Sequence, residues 1–168
     1  MINTYLGQQI KTNFPYKPTF EQEKVVKKMA DFLFSRKTEE LFLQMIREFA
    51  EKEVKPLAAE IDEQERFPIE TVEKMGKIGL MGIPIPKQYG GAGGTNMMYG
   101  MAVEELSRVC GTTGVVLSAH TSLCAAPILE NGTEEQKMKY LPKLASGEWV
   151  GAFGLTVPNA GTDAAGQQ

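Results

Sequence analysis

From Leu41 onward, apolar residues return every three or four positions. Leu41, Met45, Ile46 and Phe49 form one stripe, and Leu57, Ala58 and Ile61 resume it beyond Pro56. That spacing places side chains on one face of an amphipathic helix. Thr38 offers an N-cap hydroxyl, and Glu39 and Glu40 follow in the first turn, where the helix dipole favours anions. The pattern predicts a helix from Thr38 with a kink or break near Lys55, because Pro56 has no N–H and its ring crowds the preceding turn. Phe20 to Phe34 predicts a short helix of its own, preceded by an irregular arm around Pro15 and Pro18.

Four further helices follow from the same reasoning. One runs from about Ile69 to Ile78, introduced by Pro68 and stopped at Gly79. The next spans about Asn96 to Cys110. A third, about Thr113 to Asn131, is nearly apolar and is expected to be buried on all sides as the central helix of a bundle. The last starts at the cap residue Thr133, with Glu134 and Glu135 in its first turn, and reaches about Leu144. Between the first two of these, Met81–Pro86 is too proline-rich for a helix. Lys87–Gly94 is a glycine-rich loop with no Lys-Ser/Thr pair after it, which favours a tight structural crossing over a phosphate cradle.

After Gly147 the run Trp149–Leu155 alternates large and small residues and predicts a first β-strand. The expected fold class is therefore all-α, a bundle of five or six helices, with the opening strand of a β structure at its C-terminal end. The expected division is a basic N-terminal extension over 1–30, the bundle over 31–147 and the start of a β domain over 148–168.

Composition narrows the function classes. The chain has 168 residues, 42% hydrophobic and 23% charged, enough for one domain with a real core. A net charge of −3 argues against a general nucleic-acid binder. No apolar run is read as membrane-spanning. Cys110 and Cys124 suggest two buried thiols in a reducing compartment, and a single histidine with no Cys/His cluster argues against zinc. Charge is uneven: residues 1–37 carry a net +4 and the remainder −7. The basic head contains acids and lacks a secretory hydrophobic region. It is read as an upstream extension, with Met29 as a candidate ancestral start, rather than a targeting segment.

The most distinctive chemistry lies at Gly154-Leu155-Thr156-Val157-Pro158-Asn159-Ala160-Gly161-Thr162-Asp163. Small and hydroxyl residues there could bring backbone N–H groups against a flat or phosphorylated ligand. The same residues also suit a solvated turn, so both readings stay open on chemistry alone.

Several motifs, in order, are similar to the acyl-CoA dehydrogenases from about Asp31 to Gln168. Arg47–Pro56 resembles that family's first helix. Gly79–Pro84 followed by Tyr89–Gly94 resembles its G-L-x-G-I-P…Y-G-G-x-G passage. Val103–Ser107, Ser118–Cys124 and Gly132–Pro142 resemble its third, fourth and fifth helices, and Gly154–Asp163 its flavin signature L-T-E-P-x-A-G-S/T-D. The flavour is that of the short-chain, butyryl-CoA dehydrogenases of anaerobic bacteria.

The resemblance implies an N-terminal α bundle, a middle β domain and a C-terminal helical domain. It implies FAD and the oxidation of a short-chain acyl-CoA to the 2,3-enoyl-CoA. A glutamate removes the α proton while the β hydrogen leaves as hydride to the flavin. That glutamate lies in the family's C-terminal domain, so no catalytic residue is assigned here. Glu104 and Glu105 are read as surface or interface charges. Phe153, Leu155, Thr156, Gly161 and Thr162 are expected to line the flavin, with Thr162 also near the thioester arm and Asp163 holding the loop. Ala119, His120 and Leu123 are expected to face the acyl chain. A bulky His120 there would shorten the pocket, and a satisfied core histidine is the alternative. Val157 departs from the family's glutamate and cannot make a carboxylate's hydrogen bonds. Implied partners are the acyl-CoA substrate and electron transfer flavoprotein, with a homotetramer and a bacterial cytoplasm as the setting. Other readings are an acyl-CoA oxidase, an enoyl-CoA reductase in an electron-bifurcating complex, a related flavin monooxygenase, or a non-catalytic helical interaction module.

Overall fold

The structure is a computed structural model that describes residues 20–158 and 160–166. The expected arm around Pro15 and Pro18, like the rest of residues 1–19, lies outside the described residues. The chain forms two compact units, Met1–Met45 and Ile46–Gln168. In the first, α1 (Phe20–Phe49) is one helix of 30 residues, whose last residues belong to the second unit. The expected restart at Thr38 is absent. Ser35-Arg36-Lys37 contain neither Gly nor Pro, so nothing stops the hydrogen-bond ladder, and Thr38 sits mid-helix instead of capping.

In the second unit, Pro56 produces a π-helical turn rather than a break. Ala50–Val54 winds with wide turns, and the Lys55 N–H reaches back to the Ala50 carbonyl before α2 (Lys55–Glu63) resumes. The wider turn gives the proline ring room against the carbonyl four residues before it. The same device recurs ahead of Pro127: α5 (Gly111–Ser118) passes through a π turn at Ala119–Ala125, closed by Ala126 N–H to Thr121 O, into α6 (Ala126–Asn131).

Between these lie α3 (Ile69–Lys77) and α4 (Asn96–Val109), the latter capped by Thr95, whose Oγ1 accepts from the Met98 N–H at 3.1 Å. The final helix, α7 (Glu134–Ser146), opens on a reciprocal cap. Thr133 Oγ1 accepts from the Gln136 N–H, and Gln136 Oε1 accepts from the Thr133 N–H at 2.8 Å. The glycine-rich loop is a structural crossing. The N–H groups of Ala92, Gly93 and Gly94 donate to the carbonyls of Gly82, Ile85 and Ile83, which leaves none of the three for a phosphate. A Cβ on Gly91 would overlap the Ile85 carbonyl.

The core of this unit gathers Ile46, Ile61, Met75, Leu80, Leu106 and Leu117, and a second cluster joins Ile85 and Tyr89 to Leu141 and Leu144. Five expectations are corrected here. The apolar helix is not buried all round: Leu117, His120, Thr121 and Ala125 face inward, but Val115 is 65% exposed and Leu123 47%. At 21 residues, Gly111–Asn131 is long and apolar enough to cross a membrane by length and composition, contrary to the reading of no such run. Glu105 is a buried carboxylate rather than a surface charge, held by two arginines. Cys124 is half-buried, whereas Cys110 is buried as expected. Finally, Trp149 lies in a bend and Val150–Leu155 forms no strand, because a strand needs a ladder of hydrogen bonds to a neighbour and none forms among the described residues.

Candidate functional site

The C-terminal segment leaves the bundle through a tightly specified turn. Gly147 ends α7 at φ 76°, a left-handed conformation that glycine adopts without penalty. A Cβ there would lie 2.9 Å from Gly76 Cα, so the turn is also pressed onto the end of α3. Ser146 Oγ accepts from the Glu148 N–H, and the Trp149 N–H donates to the Lys143 carbonyl at 3.1 Å. The Lys143 ammonium sits 4.4 Å from the centre of the Trp149 ring.

Two residues later the chain meets the π turn of the apolar helix. The Gly151 N–H donates to His120 Nδ1 at 2.9 Å. A Cβ on Gly151 would stand 2.6 Å from Cys124 Cβ and 2.7 Å from its sulfur. Only glycine lies this close to the helix. His120 is fully buried, and because Nδ1 accepts, the neutral ring carries its proton on Nε2, which has no hydrogen-bond partner. Burial pushes the His120 pKa down from its ordinary value, with the Met81 and Leu144 carbonyls acting in the opposite sense. Their geometry falls short of a hydrogen bond to Nε2.

The π turn therefore meets the C-terminal segment at one point, where His120 and Cys124 stand against Gly151. Ala119 is half-buried and Leu123 exposed on the outer side of the helix, while His120 turns inward toward Gly151. Val115, one turn before Ala119, extends the exposed apolar stripe. Sequence reasoning missed it because an all-apolar helix gives no phase from which to pick an outer face.

Beyond Gly151, Phe153, Leu155 and Thr156 are exposed, as are Gly161 and Thr162. Val157 and Ala160 exchange two backbone hydrogen bonds, each 3.1 Å, which close the loop around Pro158. This closure uses no side chain, so Val157 supports the turn without a carboxylate. Asp163 Oδ1 accepts from the Gly166 N–H at 3.1 Å, holding the short 3₁₀ turn Ala164–Gly166.

Gly154 and Gly161 have neither positive φ nor crowding to explain them: a Cβ at either would meet nothing within 4 Å. The fold does not demand glycine at these two positions. They leave the backbone bare toward open space, between apolar side chains and hydroxyls. Such a surface fits a flat, partly apolar ring system that hydrogen-bonds at its edge.

Comparison with known proteins agrees with this anatomy. A family profile described as "Acyl-CoA dehydrogenase, N-terminal domain" matches residues 36–148. The chain is 68% identical over 138 residues to "Acyl-CoA dehydrogenase, short-chain specific" of Clostridium acetobutylicum, covering 82% of this chain and 36% of that protein. Among solved structures it resembles butyryl-CoA dehydrogenase from Megasphaera elsdenii, with TM-score 0.71, 42% identity, and 77% and 35% of the two chains covered. It also resembles an acyl-CoA dehydrogenase complexed with FAD from Bacillus anthracis (TM-score 0.72, 34% identity, 78% and 22% covered). A further likeness is to a chain of the structure described as "Electron transferring flavoprotein of Acidaminococcus fermentans: Towards a mechanism of flavin-based electron bifurcation" (TM-score 0.74, 50% identity, 77% and 34% covered). The chain thus spans about a third of the curated relative's length. With the profile covering most of its residues, the chain belongs to the acyl-CoA dehydrogenase family, of which it carries the N-terminal helical domain.

Proposed function

We propose that this chain supplies the bundle side of the flavin and acyl-CoA site of a short-chain acyl-CoA dehydrogenase. The observation that carries the reading is the pair Gly154 and Gly161, glycines that the fold leaves unexplained on a segment flanked by Phe153, Leu155, Thr156 and Thr162. FAD, when bound, supplies the acceptor for the hydride leaving Cβ. The chain's own residues bind and orient. Phe153 and Leu155 offer apolar contact, Thr156 a hydroxyl for the ring edge, and Gly161 with Thr162 bare backbone and a hydroxyl toward the thioester arm. Val115, Ala119 and Leu123 form the apolar wall for a short acyl group. No residue of this chain is assigned the removal of the α proton. The whole enzyme is read as a homotetramer in the bacterial cytoplasm, reoxidised by electron transfer flavoprotein.

A second direction of the same chemistry, enoyl-CoA reduction within an electron-bifurcating complex, is favoured by the 50% identity to a chain of the Acidaminococcus fermentans structure. The test of the shared reading is flavin content after incubation with FAD and desalting, read from the visible spectrum. In the whole enzyme, the wild type is expected to retain a flavin band that Gly161→Val loses without a change in melting temperature. Equal flavin content in the two proteins overturns the loop's assignment.

A further inference from the structure

A part-buried hydrogen bond ties the bundle to the start of the flavin segment, and its chemistry is unusual for this interior. His120 is the chain's one histidine, and it is fully buried. Among the described residues it makes one hydrogen bond, which its Nδ1 accepts from Gly151, 31 positions away in sequence. Among the described residues the other ring nitrogen makes no hydrogen bond, although the Met81 and Leu144 carbonyls act on the ring. A buried imidazole with half its hydrogen-bonding capacity idle is costly. An aliphatic residue at 120 would fill the same volume without that cost. What a histidine adds is one acceptor lone pair aimed at one backbone N–H.

The partner is equally specified. Gly151 approaches the helix until a Cβ would fall 2.6 Å from the Cys124 side chain. The N–H and the missing side chain therefore act together: the first gives direction, the second distance. Two residues on, the segment is exposed at Phe153, and it stays exposed through Thr156. The Gly151 contact is thus the last buried anchor before the ligand-facing residues begin.

We propose that His120 is a positioning residue: its Nδ1 fixes Gly151, and through it the place at which Phe153, Leu155 and Thr156 stand. His120 touches neither ring nor acyl group in this role. It acts through the backbone. The claim deepens the flavin reading given above and rests on it only for what the segment then holds.

The test separates the two. Amide hydrogen exchange at Gly151, measured by NMR on this chain without ligand, reports the anchor directly. In the wild type the Gly151 amide exchanges about tenfold more slowly than the neighbouring exposed amides, the protection one neutral hydrogen bond gives. His120→Asn, whose side-chain oxygen can accept in place of Nδ1, keeps most of that protection, whereas His120→Leu, apolar and able to fill the core, loses it. Gly151→Ala changes no residue of the helix and pushes the segment away from Cys124. It is expected to shift the ¹⁵N resonance of His120 Nδ1 toward that of a free acceptor. Each variant is then scored, in the whole enzyme, for FAD retained after desalting. Loss of flavin in His120→Leu and Gly151→Ala, with recovery in His120→Asn, supports the positioning role. Unchanged Gly151 exchange in His120→Leu overturns it. If Gly151 responds as expected but the whole enzyme holds no FAD, the anchor stands and the flavin reading fails.

Discussion

Arg47 Nε donates to Glu105 Oε1 at 2.8 Å, tying the end of α1 to the middle of α4. Arg108 Nε donates to the second oxygen at 3.3 Å, and the same arginine reaches Glu51 at 3.0 Å. The glutamate side chain is 8% exposed and its arginines 56% and 53%, so water reaches the cations but not the anion. Either arginine alone is expected to be dispensable, since each leaves the other in place. Removing both strands a buried carboxylate at a cost of about 3 kcal/mol, somewhat reduced by the solvent beside it. Urea denaturation of Arg47→Ala, Arg108→Ala and the double variant checks this. Two single losses that simply add would contradict a shared anion.

Glycines with positive φ separate two kinds of cost. Gly79 has φ 80° and open space where a Cβ would stand, so Gly79→Ala is expected to lose about 1 kcal/mol from conformation alone. Gly147 has φ 76° and Gly76 Cα at 2.9 Å, adding a backbone collision. Gly147→Ala is expected to lose about 3 kcal/mol. Thermal unfolding of the two variants compares them, and equal losses would refute the crowding argument.

Acid is expected to weaken the fold through His120. Burial lowers its pKa below the ordinary 6.5, so the unfolded chain binds the proton more readily than the folded one. The neutral ring's contribution is therefore fully present above about pH 6.5 and is lost as pH falls toward the folded value. Glu70 adds a separate dependence further down. The Arg66 guanidinium holds its pKa at about 2, so that pair persists until strongly acid conditions. Stability measured from pH 8 to pH 5 should slope downward in the wild type and flatten in His120→Asn.

The exposed apolar stripe is expected to matter for binding and not for folding. Leu123 and Val115 are 47% and 65% exposed, so Leu123→Ala should change stability by under about 0.5 kcal/mol. In the flavin-loaded protein it should weaken binding of a short-chain acyl-CoA. A Leu123→Ala protein that melts early but binds unchanged would place Leu123 in the core.

Replacing Val157 with the family's glutamate should leave the loop closed. The two backbone hydrogen bonds between Val157 and Ala160 do not involve the side chain. NMR amide protection at both residues is expected to match the wild type in Val157→Glu. Its loss would show that the side chain shapes the turn.

Much of this was legible in the residues. Thr133, Gly79 and the pair Ile46 and Ile61 announced helix ends and inner faces, because caps and periodicity are local, although Leu41 and Met45 of the same stripe stand exposed. The glycine loop's role as a crossing was legible from what it lacked. Three things were not. Nothing in Ser35–Thr38 says whether a good N-cap residue will cap or be overridden by a continuing ladder. A burial of Glu105 depends on Arg47, 58 positions away, which spacing cannot reveal. And the outer face of Gly111–Asn131 is hidden by composition, since Val115 and Leu117 look alike until packing separates them. The flavin segment was legible by resemblance. Its anchor at Gly151 was not, because a glycine signals close approach without naming the partner.

The π turn at Ala119–Ala125 has one residue more than a regular helix needs. The wide turn takes up that residue, so the halves on either side keep the phase of a regular helix. Deleting a single residue there would restore an even winding and leave Leu117 toward the core and Leu123 toward solvent. The same deletion within Gly111–Ser118, where the winding is already regular, would rotate one half of the helix against the other by about 100°. The helix thus tolerates a change of length at one place, and its two ends are indifferent to it only there.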